Sequence, residues 1–252
     1  MNHKVLNHVK SFDIVFSKLK KREPFWFVRF GDGDHLLMYK NSIGKIVGGG
    51  NKFFVTEKLQ EEVIECYNIE DDNFLIGTML NDFLPHQMMK YERKIKHDLL
   101  PNLVQRKEML AMSCLFEMFL NNINEFAEFS KELKRTSTMF VCGYNHANIA
   151  KVYGKGVYVK IPVRNCYATI DQWYPEILAN LDKVDKVILS AGFAGRVVAK
   201  RLFKAGINKM VLDVGSLSDT FVFHTDIMKK IKGRKFMEYV ERQIFRNTNV
   251  LI

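Results

Sequence analysis

The feature that most constrains the fold of this chain is a strand, turn and helix pattern that repeats between residues 138 and 214. Short apolar runs typical of strands occur at 138–142, 157–162, 187–190 and 210–214, and helical patterns separate them. Strands joined by helices of this length imply a parallel sheet with right-handed crossovers. We therefore predict an α/β fold built on a Rossmann-like, mostly parallel sheet.

The first half of the chain supplies further elements of the same fold. Residues 4–20 place apolar side chains at helical spacing, and strand-type runs follow at 25–30 and 74–78. Residues 82–134 are rich in methionine, leucine, phenylalanine and charge without a strand-like run, which predicts a helical insertion. Because the sequence has no internal repeat, low-complexity tract or clear linker, we expect a single domain over residues 1–252.

An acidic, glycine-containing stretch follows the first buried strand pattern. It consists of Arg29, Phe30, Gly31, Asp32, Gly33 and Asp34. We predict a tight turn in which the two glycines adopt positive φ and the two carboxylates converge on one divalent cation. The arginine would add a planar donor fork for phosphate. Residue types alone leave a second interpretation open, an ordinary Asp-Gly turn with solvated acids and a structural arginine.

Two further segments carry glycines near this stretch. Residues 43–50 are glycine-rich and predict a loop that approaches the ligand. Gly192, Gly195 and Arg196 join a buried strand pattern to a helix pattern, a junction that presents amide donors and a helix N-terminus to a phosphate. A diphosphate is the natural ligand of such a junction, although the same spacing also serves helix packing.

Several classes of protein are disfavoured. The segment 211–215 is similar to the first motif of S-adenosylmethionine-dependent methyltransferases, but in that class several strands follow the motif, and here the remaining residues have helical patterns. No complete G-x-G-x-x-G follows an early strand, and no G-x-S-x-G is present. The 4 cysteines are scattered without a C-x-x-C pair, so neither a zinc site nor a disulfide framework is indicated.

The sequence also bears on location and partners. It contains no apolar run of membrane-spanning length and no signal-peptide pattern at its start, so we expect a cytoplasmic protein. Its formal net charge is +10. Nucleic acid, an anionic membrane surface or a phosphate-rich donor could each exploit this excess, and solvated helix faces are the alternative.

Basic residues form one prominent cluster near the carboxyl terminus. A basic helical segment is predicted at about 225–248, in which aromatic side chains are interleaved with the positive charges. We predict that five residues of this segment bind nucleic acid: Lys229, Lys230, Lys232, Arg234 and Lys235.

The acidic stretch at 29–34 resembles the R-F-G-D-G-E signature of the GT-D glycosyltransferases. The resemblance continues in order through 42–44, 161–167, 190–192 and 212–215. Two positions depart from the family pattern. Asp34 stands where the family has glutamate, and Ser216 stands where it usually has histidine.

The resemblance implies a GT-D-like fold and a metal-dependent transfer from a nucleotide sugar, most naturally a UDP-sugar, with Mn²⁺ or Mg²⁺. Asp32 and Asp34 would hold the metal and diphosphate beside Arg29. Independently of the resemblance, an acid near a strand end could serve as base, and Asp213 and Asp219 are the two candidates. The donor-binding residues would be Gly31, Gly33, Gly192, Gly195, Arg196 and Asn165.

The net charge directs the choice of acceptor. A hydroxymethylated base in DNA, as some bacteriophage enzymes modify, is the favoured acceptor, because the enzyme would then have to hold a polyanion. A protein-linked or cell-surface glycan is the alternative acceptor. A non-catalytic nucleic-acid-binding protein is the alternative of another class.

Overall fold

The computed structural model describes residues 4–39, 42–47, 53–79, 103, 108–144, 147–215 and 217–218. The predicted basic segment at about 225–248, with its five proposed nucleic-acid-binding residues, lies outside this part of the chain. Asp219 lies outside it as well, as do residues 82–102 and 104–107 of the insertion predicted at 82–134.

The described residues form short strands alternating with helices. The strands are β1 (Lys4–Val5), β2 (Trp26–Arg29), β3 (Ile46–Val47), β4 (Phe53–Phe54), β5 (Phe74–Thr78), β6 (Glu108–Ala111), β7 (Thr138–Cys142), β8 (Gly156–Lys160), β9 (Lys186–Ser190) and β10 (Met210–Asp213). The α-helices are α1 (His8–Lys21), α2 (Asp32–Met38), α3 (Glu57–Tyr67), α4 (Cys114–Asn121), α5 (Ile123–Leu133), α6 (Ala147–Tyr153), α7 (Ile170–Asn180) and α8 (Phe193–Lys204). Short 3-10 turns occupy Cys166–Thr169 and Leu181–Lys183.

One 8-stranded sheet organises the molecule, in the order β1-β6-β5-β2-β10-β9-β7-β8. Every neighbouring pair in it is parallel. The prediction of an α/β fold with a mostly parallel sheet is therefore confirmed. Because all the strands run in one direction, their carboxyl ends lie at one edge of the sheet, which we call the carboxyl edge.

Helices cover both faces of this sheet, which explains why the middle residues of its central strands are continuously apolar. Phe27 and Leu212 face a layer formed by α1, α4, α5 and α6. Val28 and Val211, one residue away in β2 and β10, face the opposite layer of α2, α3, α7 and α8. The successive side chains of a strand point to opposite faces, so adjacent residues join different cores.

Strands replace two stretches for which helical structure was predicted. Residues 108–111, inside the predicted helical insertion, form β6 between β1 and β5, and residues 4–5, assigned to the first helix, form β1. Met109, Leu110 and Ala111 are residue types with good helix propensity, so the local signal is weak. Pairing of Gly77 with Leu110 and of Lys4 with Glu108 fixes them as strands instead.

A lysine is buried at the start of β9, on the edge of the sheet opposite the carboxyl edge. Lys186 is 0% exposed, and its Nζ donates hydrogen bonds to the carbonyl oxygen and the hydroxyl of Thr136, both at 2.7 Å. Burial disfavours the charged ammonium and lowers the pKa of Lys186 to about 7, although Asp185 opposes the change.

This buried amine predicts a pH dependence of stability. Between the folded pKa of about 7 and the ordinary value of 10.5, only the unfolded chain retains the proton, so the free energy of unfolding should rise with pH. The contribution approaches about 1.4 kcal/mol per pH unit. Urea unfolding of the parent and of Lys186→Met, from pH 7 to about 8.5 where unfolded cysteine thiols begin to ionise, should show a shallower slope for the variant.

Lys183→Met is the matched control, because Lys183 is an exposed lysine three residues earlier in the chain. It should leave the slope unchanged. Equal slopes for the parent and for Lys186→Met would mean that the amine keeps its proton in the folded protein.

Candidate functional site

The acidic stretch is the start of a helix and not the tight turn that the sequence predicted. Gly31 is the N-cap of α2 with φ −93° and ψ −168°, and Asp32 and Asp34 occupy the first and third helical positions. Neither Gly31 nor Gly33 has positive φ. Asp34 Oδ2 accepts a hydrogen bond from the Gly31 amide at 2.8 Å, which is one half of a capping box and favours the helix.

The change from turn to helix separates the two carboxylates. Residues two apart on a helix point in nearly opposite directions. Asp32 is accordingly exposed and accepts the Gly33 amide on Oδ1 at 2.8 Å, whereas Asp34 is 3% exposed and points into the protein. The predicted convergence of the two side chains on one turn is therefore wrong.

Four charged residues meet beneath the carboxyl edge, and we call them the buried charge cluster: Arg29, Asp34, Arg196 and Asp213. Arg196 lies between the two acids, with Nη2 at 2.7 Å from Asp34 Oδ2 and Nη1 at 2.9 Å from Asp213 Oδ2. Asp213 Oδ2 also accepts the Arg29 amide at 3.3 Å. The cluster joins the end of β2, the start of α2, the first turn of α8 and the end of β10.

The electrostatics of the cluster follow from burial and pairing. Burial by itself would lower the pKa of Arg196, but the adjacent Asp213 and Asp34 outweigh it and raise that pKa. Burial raises the pKa of Asp34, and Arg196 and the Gly31 amide oppose the rise. The pKa of Arg29 is lowered by burial, with Asp213 acting in the opposite direction. A guanidinium nevertheless keeps its charge in proteins.

The structure thus brings together four residues that the sequence assigned to the site. Their burial and hydrogen bonds indicate the role of each. Asp213 is 0% exposed, and its Oδ1 accepts the Gly215 amide at 3.0 Å while Oδ2 accepts from both arginines. Arg196 is 7% exposed, and its Nη1 also donates to the Gly192 carbonyl at 2.7 Å. The contacts favour structural pairing for Asp213 and Arg196, in place of the predicted base and direct phosphate ligand.

Arg29 is largely buried and is the most exposed member of the cluster. Its Nη1 donates to the carbonyl oxygen of Val214, and its side chain lies against Gly215, which has φ +51°. A Cβ at Gly215 would overlap Arg29 Nη1. Glycine is required there both for the left-handed backbone conformation and for the close approach of the guanidinium.

We expect Gly215→Ala to displace Arg29 and to reduce binding of a diphosphate. Gly206→Ala is the matched control, because Gly206 has φ +67° with nothing within 4 Å of its Cβ position. Both variants bear the left-handed backbone cost of about 1–2 kcal/mol. Thermal unfolding and titration with UDP should show similar destabilisation but at least about tenfold weaker binding for Gly215→Ala alone, since a charge-assisted hydrogen bond contributes roughly 1.5–3 kcal/mol. If Gly215→Ala and Gly206→Ala bound UDP with equal affinity, Arg29 would not contact the ligand.

Gly192 forms the N-terminus of α8 beside this cluster. It has φ +53°, and a Cβ there would lie 2.8 Å from Cζ of Phe53. The Phe53 and Phe193 rings are 4.7 Å apart, and Phe193 in turn lies against Gly33, 3.1 Å from the position of a Cβ. Gly192 offers no side chain to cap the helix, and the Gly195 amide donates to the Gly192 carbonyl at 3.0 Å, so the amides of Phe193 and Ala194 are the donors left for a ligand.

The segment 46–54, within which the sequence predicted only a glycine-rich loop, brings Phe53 to this position. Strands β3 and β4 pair antiparallel, with Ile46 opposite Phe54 and Val47 opposite Phe53. The short β-type runs in this segment are the available sequence signal. Nothing in the local sequence indicated that Phe53 would contact the first turn of α8.

Two other predicted donor-binding residues, Gly195 and Asn165, are not members of the buried charge cluster. Gly195 lies inside the first turn of α8, where a Cβ would make ordinary contact with Ala191 and Leu189 at 3.8 Å, so it serves helix packing on the sheet. Asn165 adopts the left-handed conformation with φ 46°. The next residue, Cys166, donates its thiol hydrogen to the Ala191 carbonyl at 3.3 Å, which places Asn165 near the start of α8.

His35 supports the start of α2 from below. It is 7% exposed, with Nδ1 at 2.7 Å from the Gly31 carbonyl and Nε2 at 3.3 Å from the Thr78 hydroxyl. Burial lowers the pKa of His35, which favours a neutral ring that donates from Nδ1 and accepts at Nε2. The histidine therefore anchors Gly31 to the end of β5.

The acidic residues bear on whether the protein could supply some of the ligands of a divalent cation. No group of three His, Cys, Asp or Glu side chains suited to a metal occurs among the described residues. Asp32 is exposed, and Asp34 Oδ1 is buried without a hydrogen-bond partner. Mg²⁺ and similar ions take one or two carboxylates from the protein and the remaining ligands from phosphates and water. Exposed Asp32 fits such a site as its one protein carboxylate, whereas Asp34 points away from it into the protein.

Comparison with solved structures places this geometry in context. No protein-family model and no curated protein sequence matches the chain. A glycosyltransferase of the DUF1792 group from Streptococcus sanguinis superposes with a TM-score of 0.67 at 16% identity, covering 90% of this chain and 85% of its own. This chain has its fold.

A second DUF1792 structure, described as having a distinct glycosyltransferase fold, gives a TM-score of 0.64 at 16% identity and covers 89% of this chain and 82% of its own. The selenomethionine-substituted form of such a domain gives 0.64 at 17% identity with the same coverage. This similarity in fold agrees with the GT-D-like architecture expected from the sequence.

Proposed function

We propose that this chain is a glycosyltransferase that moves a sugar from a nucleotide sugar, in the first instance a UDP-sugar, to a hydroxyl group. One observation carries the proposal: exposed Asp32, the Arg29 guanidinium and the uncapped start of α8 at Gly192 adjoin at the carboxyl edge of a sheet with a glycosyltransferase fold. Open α/β sheets bind ligands at this edge, and a diphosphate needs donors of these types.

The residues divide into those that contact the donor and those that hold them. Arg29 and the first amides of α8 bind the donor diphosphate and stabilise the charge that develops as the nucleotide leaves. Arg196, Asp34 and Asp213 position these groups through the buried ion pairs. Asp32 would hold Mn²⁺ or Mg²⁺ together with the diphosphate and water, and the ion supplies charge neutralisation on the diphosphate when bound.

The general base is assigned by elimination among the two candidates from the sequence. Asp213 is 0% exposed and both of its oxygens accept hydrogen bonds within the buried cluster, so an acceptor hydroxyl does not reach it. Asp219, which lies outside the described residues, remains the candidate base.

The favoured acceptor is a hydroxymethylated base in DNA. Exposed Lys45, Lys160 and Arg164 lie around the carboxyl edge, where they can contact phosphates. The last turn of α1 carries a second basic cluster, Lys18, Lys20 and Lys21. The chain passes from this turn into the amino-terminal end of β2, so the cluster lies at the opposite edge of the sheet. That cluster therefore contributes to the net charge but not to this surface.

The decisive experiment is mass spectrometry of two acceptors, a hydroxymethylcytosine-containing duplex and a glycopeptide, after incubation with Mn²⁺ and a panel of nucleotide sugars. We expect the DNA to gain the mass of one sugar residue per modified base. Transfer to the glycopeptide alone would keep the enzyme and replace the acceptor. DNA binding without hydrolysis or transfer from any donor would instead favour the non-catalytic nucleic-acid-binding protein.

A further inference from the structure

The outer side of the β3–β4 hairpin carries exposed apolar side chains beside the candidate site. Ile46 is 64% exposed and Phe54 is 50% exposed, and the two residues are cross-strand partners. Ile43, at the base of the hairpin, is 42% exposed. We call these three side chains the hairpin apolar face. Large exposed side chains of this kind, gathered on one element, mark a contact surface.

The opposite side of the same hairpin is fixed to the site. Phe53 packs on Phe193 with ring centres 4.7 Å apart and covers Gly192. At its base, the Val55 amide donates to the Lys45 carbonyl at 2.9 Å, and the Gly44 amide donates to the Val55 carbonyl at 2.9 Å. The hairpin apolar face is therefore held at a set position next to the start of α8.

Positive charge accompanies this face. Lys45 is exposed at the start of the hairpin, exposed Lys160 ends β8 at the same edge of the sheet, and exposed Arg164 follows it. Asp32 is the exposed carboxylate of the candidate site. The surface thus combines apolar side chains with cations, which matches a ligand that has both flat apolar groups and phosphates.

We propose that the hairpin apolar face contacts DNA bases and holds the acceptor base out of the duplex for transfer. Phe54 stacks on a base, Ile46 acts as a wedge against the neighbouring step, and the nearby cations contact the backbone. The proposal rests on the proposed function, because it supplies the acceptor contact of that same site. No described residue of the buried charge cluster takes part in this contact.

A DNA ligand fits this face better than a bilayer does. Attachment to a lipid surface strengthens with the apolar area that is buried, and three side chains provide little of it. A single aromatic side chain is sufficient to stack on a base, and one intercalating side chain is sufficient to open a base step. The cross-strand pairing of Ile46 with Phe54 also gives the narrow shape that a wedge requires.

The test uses the full chain with Ile46→Ser and Phe54→Ser combined, because both side chains are exposed and the fold should tolerate their loss. Affinity is measured by fluorescence anisotropy with a labelled duplex containing one hydroxymethylcytosine, and hydrolysis of UDP-sugar is measured in parallel. We expect about tenfold or weaker DNA binding with unchanged donor hydrolysis. Phe54→Trp should retain binding, because the larger ring can stack.

Leu178→Ser is the matched control, since Leu178 is 44% exposed on α7, whose chain direction takes it away from the carboxyl edge. It should bind DNA as the parent does. If the double variant binds DNA with the affinity of the parent, the proposal is overturned. It is also overturned if the double variant loses binding to anionic phosphatidylserine vesicles but still binds DNA. If the parent hydrolyses the donor but does not bind DNA, this inference fails while the donor chemistry stands. If the parent does neither, both proposals fail.

Discussion

Arg196→Met is expected to lower the free energy of unfolding by about 3–5 kcal/mol, the usual cost of removing one partner of a buried ion pair. Methionine nearly fills the space of the arginine stem but leaves two acids, Asp34 and Asp213, buried without their shared cation. The loss should be measured by urea unfolding at neutral pH. Donor hydrolysis should fall as well, because the starts of α2 and α8 lose their connection.

Arg201→Met is the control on the same helix. Arg201 is 21% exposed and pairs with the partly exposed Glu62 and with exposed Asp171, so its removal should cost about 1 kcal/mol or less. A similar loss for the two variants would show that Arg196 is not the central cation of the cluster.

The free energy of unfolding that Arg196→Met loses should depend on pH. Without the guanidinium, burial raises the pKa of Asp34 unopposed by its main partner. A carboxyl group with a raised folded pKa stabilises the fold at low pH and loses that contribution as the pH rises. The difference in stability between parent and variant should therefore be smaller in mildly acidic buffer than in neutral buffer.

Asp32→Asn is expected to reduce sugar transfer and donor hydrolysis by about 10²-fold with little change in the unfolding midpoint, as is typical when one charge-stabilising group is lost. Asp32 is exposed, and its hydrogen bond is to the adjacent amide, so the fold does not depend on it. Titration of activity with Mn²⁺ should show a weaker apparent affinity for the metal. A parent-like metal titration would assign the cation to other residues.

Asp34 variants separate the metal contribution from the structural one. Asp34→Glu retains a carboxylate for Arg196 and for the Gly31 amide, so metal-dependent activity should persist. Asp34→Asn should abolish activity and lower stability together, because it removes a buried counter-ion. If Asp34→Asn lost activity while its free energy of unfolding stayed unchanged, the main role of Asp34 would be to bind the metal and not to pair with Arg196.

The sequence by itself determined the architecture and the location of the site. Parallel strands that are buried on both faces consist of continuous apolar runs, and such runs with helical patterns between them leave few alternatives to an open α/β sheet. Because the carboxyl ends of those strands share an edge, Arg29, Asp34, Arg196 and Asp213 could be assigned to one site from their places after strands. The structure brings all four together.

Only the tertiary structure decided what these residues do there. Asp34 pairs with an arginine 162 residues away, and this contact, together with the Gly31 amide, turns the carboxylate inward and leaves Asp32 alone at the surface. Local sequence signals act over a few residues, so they could not distinguish a turn with two convergent acids from a helix start with divergent ones. For the same reason β6 and the position of Phe53 depend on pairing and packing partners that are distant in the chain.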